Sequence, residues 1–267
     1  MSEEKNNVIT DLLGTVKVPT EIVKKVLEPP AEQIGKGLYN LFYLVFAPIE
    51  KAKLKKEHEI NLYKAEIDKR IAAIPEDNLI EPPLDIVGPA LEASKYYIEH
   101  EDIRQMFAQL IASSMNKSEN SLVHTSFIEI IKQLSPLDAK ILKFLHDNEH
   151  SVPIASIRYV PKNQISGQKN IFDNFFPLPD MKTTNYRTYL SSVDNLIRLG
   201  LIKVRLAYAY DDKSKYQTIK EHEIYIELNN LFENDESSPG NAVLQEGIWS
   251  FTQFGTSFLS CCFDQQS

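Results

Sequence analysis

The sequence predicts a mostly α, α+β overall protein. It reads as an N-terminal helical bundle with long helices over residues 1–134, followed by a winged-helix-like α/β domain over residues 135–267. Three observations carry this reading. Apolar residues recur at three- and four-residue spacing through most of the first 145 positions, the period of a helix with one buried face. Prolines and serines stand where such runs begin, positions that suit helix starts. Alternating runs appear only after residue 200, in IKVRLAYAY and HEIYIEL, joined by the charged tip DDKSK.

In chain order, Pro19 precedes Ile22, Val23, Val26 and Leu27, and Pro29-Pro30 precede Ile34, Leu38, Leu41, Phe42 and Val45. Pro48 opens a long charged stretch to Ile74 with sparse apolar positions (Ile60, Leu62, Ile67, Ile71), read as a solvated helix. From Glu101 to Met115, Ile103, Met106, Phe107, Leu110 and Ile111 share one stripe, and Glu101 and Asp102 suit the positive helix N-terminus. Phe127, Ile130, Ile131 and Leu134 mark the next helix, with Ser126 and Glu129 placed as a reciprocal capping pair. Ser135-Pro136-Leu137-Asp138 is a third helix start, followed by buried-face residues Leu137, Ile141, Phe144 and Leu145.

A polar insertion from Pro161 to Asp180 then leads to a helix opened by Thr184, with Leu190, Val193, Leu196 and Ile197 inward. Leu199-Gly200-Leu201-Ile202 turns it into the first alternating run (Val204, Leu206), and the second follows (Ile224, Ile226, Leu228). IWSF and TQFGTSFLSCCF complete the pattern as a short strand and a closing helix.

Composition narrows the function classes. A 267-residue chain that is 43% hydrophobic and 25% charged has the makings of a packed core. A net charge of −8 and a pI near 5.4 argue against a nucleic-acid coat protein, while leaving room for a local basic face. The two cysteines are adjacent, Cys261 and Cys262, which suits a reducing cytoplasm and excludes a disulfide scaffold. The N-terminal MSEEKNNVITDLL lacks the order of a secretory signal. The longest apolar run, Leu38–Ala47, is about half of the roughly 20 residues that span a bilayer. A cytoplasmic location is therefore expected.

Catalytic signatures are missing from the sequence. It holds no H-E-x-x-H, P-loop or G-x-S-x-G pattern, and Gly35-Lys36-Gly37 is too short and lies on a helical pattern. His146 and His150 are four apart but bracket a helix end, and Cys261-Cys262 lacks the spacer of a zinc or redox motif, reading instead as buried small hydrophobes. No catalytic, cofactor-binding or metal-binding residue is assigned, and no cofactor is expected. His124 is expected to cap the following helix or pack locally.

Two surfaces carry binding expectations. The helix opened by Thr184 displays Arg187, Ser191, Asp194 and Arg198 outward with Tyr186 at its start, the placement of a recognition helix whose arginines could meet phosphate or a base edge. Asp194 interrupts that stripe, and from Pro136 onward 13 basic face 16 acidic residues, so a protein partner and a purely structural role stand beside DNA. The Leu38–Ala47 run is followed by lysines, so Phe42, Phe46, Lys51 and Lys55 are candidates for peripheral membrane contact, with burial in the bundle as the competing reading.

Four blocks carry a family resemblance: Pro82-Pro83, LEASKYY from Leu91, RQMFAQLIASSM from Arg104, and HTSFIEIIKQLSPLDAKIL from His124. Together they resemble the bacterial abortive-infection alpha family. A proline commonly follows the histidine in that family, where this chain has Thr125. The resemblance implies phage defence, in which an infected cell stops growing or dies before phage matures, and implies no catalytic residue. The expected function is non-enzymatic phage defence through protein or nucleic-acid contacts, the winged part sensing and the N-terminal helices acting. The alternatives are a winged-helix DNA-binding transcriptional regulator and a membrane-perturbing effector.

Overall fold

The computed structural model describes residues 30–50, 56–148, 152–162 and 167–263. The expected helix after Pro19, together with Lys51, Lys55 and His150, lies outside them.

The first helix, α1 (Pro30–Glu50), starts on its proline, and Pro48 belongs to its last turn rather than opening the next helix. Leu38, Phe42 and Phe46 form its buried stripe. The two phenyl rings stack at 4.5 Å and meet Tyr63 of α2 (Glu57–Ala72) at 6.0 and 5.9 Å. Helix α2 corrects the expectation of a solvated arm. Its apolar positions are few, but Ile60, Tyr63 and Ile67 are all buried, because a three-residue stripe suffices to seat a short helix in a groove.

Helices α3 (Leu84–Ser94) and α4 (Glu101–Ser114) follow, and every apolar residue expected on the α4 stripe is buried. Helix α5 (Ser126–Gln133) buries Phe127, Ile130 and Ile131 as expected, but its cap differs. His124 Nδ1 accepts the Ser126 backbone N–H at 3.1 Å and lies 2.7 Å from the Ser126 hydroxyl, while Glu129 pairs with Lys132 at 2.9 Å. An imidazole two residues earlier thus accepts the N–H expected to go to Glu129. Helix α6 (Pro136–Asp147) carries the anticipated reciprocal cap: Asp138 N–H donates to Ser135 Oγ at 3.1 Å, and Ser135 N–H to Asp138 Oδ2 at 2.7 Å.

The remaining chain builds a four-stranded antiparallel sheet, ordered β2-β1-β4-β3. Strand β1 (Ile154–Pro161) and strand β2 (Lys169–Phe175) flank and enter what reads in sequence as a polar insertion. Helix α7 (Tyr186–Arg198) begins two residues after Thr184, and β3 (Ile202–Arg205) is short. The second alternating run is not a strand. It forms α9 (Glu223–Glu233), after the one-turn α8 (Gln217–Lys220), because Ile224, Leu228 and Phe232 also fit a helical period and continue beyond the alternation. The aromatic strand is longer than IWSF: β4 (Gly240–Phe251) pairs with β1 through Gly247 and with β3 from Ile248 onward.

Tyrosines dock the helical insert onto β4. The Tyr216 hydroxyl donates to the Gly247 carbonyl at 2.7 Å, and the Tyr225 hydroxyl to the Ala242 carbonyl at 2.8 Å. The Trp249 indole N–H donates to the Val152 carbonyl at 2.9 Å, tying β4 to the segment that enters β1.

The closing helix α10 (Gln253–Cys262) is capped by Thr252, whose hydroxyl accepts the Gly255 N–H at 2.8 Å. A β-carbon on Gly255 would run into the Leu201 carbonyl group, so only glycine lets α10 lie this close to the start of β3. Helix α10 packs on α4, and one apolar core continues from Leu38 to Cys262 across the 134/135 division.

Candidate functional site

Helix α7 turns Arg187, Ser191, Asp194 and Arg198 outward, with its two ends used differently. Tyr186 is half-buried against Phe172, ring centroids 4.9 Å apart. The Arg187 guanidinium lies 5.8 Å over the Tyr186 ring, and its Nε donates to the Tyr186 hydroxyl at 3.3 Å. Ser191 and Asp194 are exposed on the same face, and the Asn174 amide donates to Asp194 at 3.4 Å. At the far end, Arg198 donates to Gln133 Oε1 at 3.1 Å and to Asn195 Oδ1 at 2.7 Å. Asn195 in turn donates to Asp138 Oδ2 at 3.0 Å. Arg198 and Asn195 therefore hold α7 to the α5–α6 corner. Arg187 stands roughly 16 Å away, eleven residues at 1.5 Å rise.

Helix α9 supplies a surface that the strand reading concealed. With Ile224 buried and Tyr225, Leu228 and Phe232 half-buried, the outer side carries Glu223, Glu227 and Glu233. Between these acids stand Ile226, 47% exposed, and Leu231, 65% exposed. The signal that finds it is the continuation NNLFE after HEIYIEL, which extends a helical period for another turn.

His222 caps α9, its Nδ1 accepting the Ile224 N–H at 3.3 Å. Burial holds this imidazole below its ordinary pKa, opposed by Glu223 and by a hydrogen bond with the Leu178 backbone. The unfolded chain therefore takes up a proton near pH 6.5 that the folded protein still refuses. Stability is full above about pH 6.5 and falls as pH drops through it, levelling once the folded imidazole is also protonated. Urea midpoints measured from pH 7.5 to 5.5 (about one unit either side of that value) are expected to decline less in His222→Asn, which keeps a capping acceptor; parallel declines would sink this assignment.

Two clefts of about 620 and 590 Å³ meet at Arg70 and Gln105 between α2, α4, α6 and α10. Arg70 Nε donates to Gln109 Oε1 at 3.0 Å and its Nη1 to the Glu66 carbonyl at 3.2 Å. His146, at the larger cleft, lies between the rings of Phe251 and Phe263, each at 6.3 Å. Cys261 and Cys262 are buried, as small hydrophobes are. Burial pushes the Cys261 thiol up to about 11 and holds the Cys262 thiol well above its ordinary value, which keeps both protonated near neutrality. Among the described residues no three histidine, cysteine or acidic side chains converge as a metal site.

Phe42 and Phe46, the candidate membrane contacts, face Tyr63 in the core, and Phe46 has no exposed surface. The large apolar residues that this helix turns outward are Tyr39, Tyr43 and Leu44, beside Lys36 and Asn40.

These features define an α+β protein in which helices and an antiparallel sheet share one core. The abortive infection alpha family model matches residues 55–262, and the chain belongs to that family. The match extends well past the motif blocks between Pro82 and Leu142 into the sheet and α10, while α1 lies outside it. No curated protein and no solved structure matches the chain.

Proposed function

We propose that this protein serves abortive infection by binding a protein partner rather than by catalysis, and that α9 is the contact. The carrying observation is the outer side of α9, where Ile226 and Leu231 are exposed between Glu223, Glu227 and Glu233. Exposed apolar residues on a helix whose outer side carries charge of one sign suit a partner that presents a basic, amphipathic surface.

The C-terminal half supports a winged-helix-like reading through its order: α6, β1, α7, β3 and β4, with β4 between β1 and β3. Two departures weigh against DNA. Strand β2 stands before α7, and the β3–β4 connection, where a wing would reach for the duplex, is the acidic α8–α9 insert. DNA affinity is built on phosphate neutralisation, which glutamates oppose.

The test is phage plating and survival of cells producing the protein or its Ile226→Arg/Leu231→Arg variant. Both positions are exposed, so the variant is expected to keep its circular dichroism spectrum. Wild-type protection with death of infected cells, lost in the folded variant, is the expected result. Full protection by that variant would refute the α9 contact.

A further inference from the structure

We propose that α9 is a hinged cover over the open edge of β4, and that it opens as a unit while the rest of the molecule stays folded. On the side away from β1, β4 meets β3 only from Ile248 to Phe251. From Gly240 to Gly247 no strand lies there among the described residues, and α9 takes the place. Two of its side chains, one turn apart, reproduce what a neighbouring strand would offer. Asn229 Oδ1 accepts the Ala242 N–H at 2.9 Å, and the Tyr225 hydroxyl donates to the Ala242 carbonyl at 2.8 Å. An uncovered strand edge is a template for pairing with another chain, so the closed helix blocks such pairing.

The fastening is firm at one end and thin along the rest. Helix α9 buries one of its eleven residues, Ile224, whereas α4 buries ten of fourteen. Tyr225, Leu228 and Phe232 are half-buried, and Ile226 and Leu231 face solvent. The firm end is the entry, where Tyr216, Ile219 and Ile224 are buried and Tyr216 holds the Gly247 carbonyl. At the exit the latch is Tyr159, whose ring meets Phe232 edge-on at 5.0 Å and whose hydroxyl donates to the Ser238 carbonyl at 2.6 Å. Elements held by few buried apolar side chains open at lower free energy than the core. Once lifted, a helix of eleven residues is too short to persist alone, so undocking and melting of α9 are one event. This motion involves the inner side of α9 and requires no partner on the outer side.

The experiment is native-state amide hydrogen exchange on the full chain, followed residue by residue by NMR. The Ala242 amide faces α9, and by the alternation of an antiparallel ladder the Val243 amide faces β1. Ala242 and the α9 amides from Leu228 to Phe232 are expected to share one protection factor. It should lie at least about tenfold below those of Val243 and of Phe107 to Ile111 in α4. Tyr225→Phe, which leaves the Asn229 acceptor in place, is expected to speed exchange of the first group about fivefold and to leave the second unchanged. Equal protection of Ala242 and Val243 in the wild type overturns the proposal, because α9 would then open only with global unfolding. So does a Tyr225→Phe variant that speeds neither group or both alike. The wild-type comparison needs no variant to fold, and neither measurement depends on the phage test of the outer side of α9.

Discussion

Arg104→Leu is expected to lower the unfolding free energy by about 3–5 kcal/mol, because it leaves Glu66 as an uncompensated carboxylate in the helical core. Arg104 is 7% exposed. Its Nε and Nη2 donate to Glu66 at 3.1 and 2.8 Å, a two-pronged grip, and its Nη1 donates to the Ile98 carbonyl at 2.8 Å. Glu66 holds the guanidinium pKa above its ordinary value. One side chain thus joins α2, α4 and the turn after α3. Glu66→Gln should cost less than Arg104→Leu, since glutamine keeps a side-chain oxygen that can accept from the Arg104 guanidinium. Arg104→Leu/Glu66→Leu should recover part of the loss, because removing both charges also removes their desolvation cost. Chemical denaturation measures all three. A loss below about 1 kcal/mol for Arg104→Leu would mean that Glu66 swings to solvent and the pair contributes little.

Phe258→Ala is expected to cost about 3–5 kcal/mol and to destabilise both halves of the molecule together. Phe258 is fully buried and meets Phe127 of α5 edge-on at 5.4 Å, while Phe254 approaches the same ring at 5.2 Å. The last helix of the chain is thus wedged against helices that the 134/135 division assigns to the other part. Trp249 is the single tryptophan and lies in β4, so its fluorescence reports the sheet, whereas far-UV circular dichroism is dominated by the helices. One cooperative unit predicts coincident transitions by both probes, in the wild type and at the lower midpoint of Phe258→Ala. A variant in which the helices melt first while Trp249 holds would establish residue 134 as an energetic boundary.

The parts of the fold legible in the sequence are those set by local rules. The stripe from Ile103 to Ile111 could bury only as a helix, and Ser135-Pro136-Asp138 satisfies its own backbone donors wherever it is placed. The cap of α5 was less legible. Ser126 and Glu129 have the right spacing, but the histidine two residues earlier supplies an acceptor to the same N–H, and which one engages depends on how His124 packs against Phe127 and Phe254. At HEIYIEL both periods fit, since Ile224 and Leu228 suit a strand or a helix. Of the anticipated recognition residues, Arg187 and Ser191 do face outward, whereas Arg198 is drawn into bonds with Asn195 and Gln133.

By itself, then, the sequence determined the helices with unambiguous period, the α6 cap, the burial of the two cysteines and the family, because each depends on residues near one another or on a recurring word of sequence. Only the tertiary structure decided that Glu66 and Arg104 are partners across 38 positions, that HEIYIEL is a helix, and that Phe42 turns inward while Tyr43 and Leu44 turn outward. Those outcomes depend on which surfaces meet. Apolar burial is not directional, so a helix that is greasy on every side takes its inner face from its neighbours rather than from its own sequence.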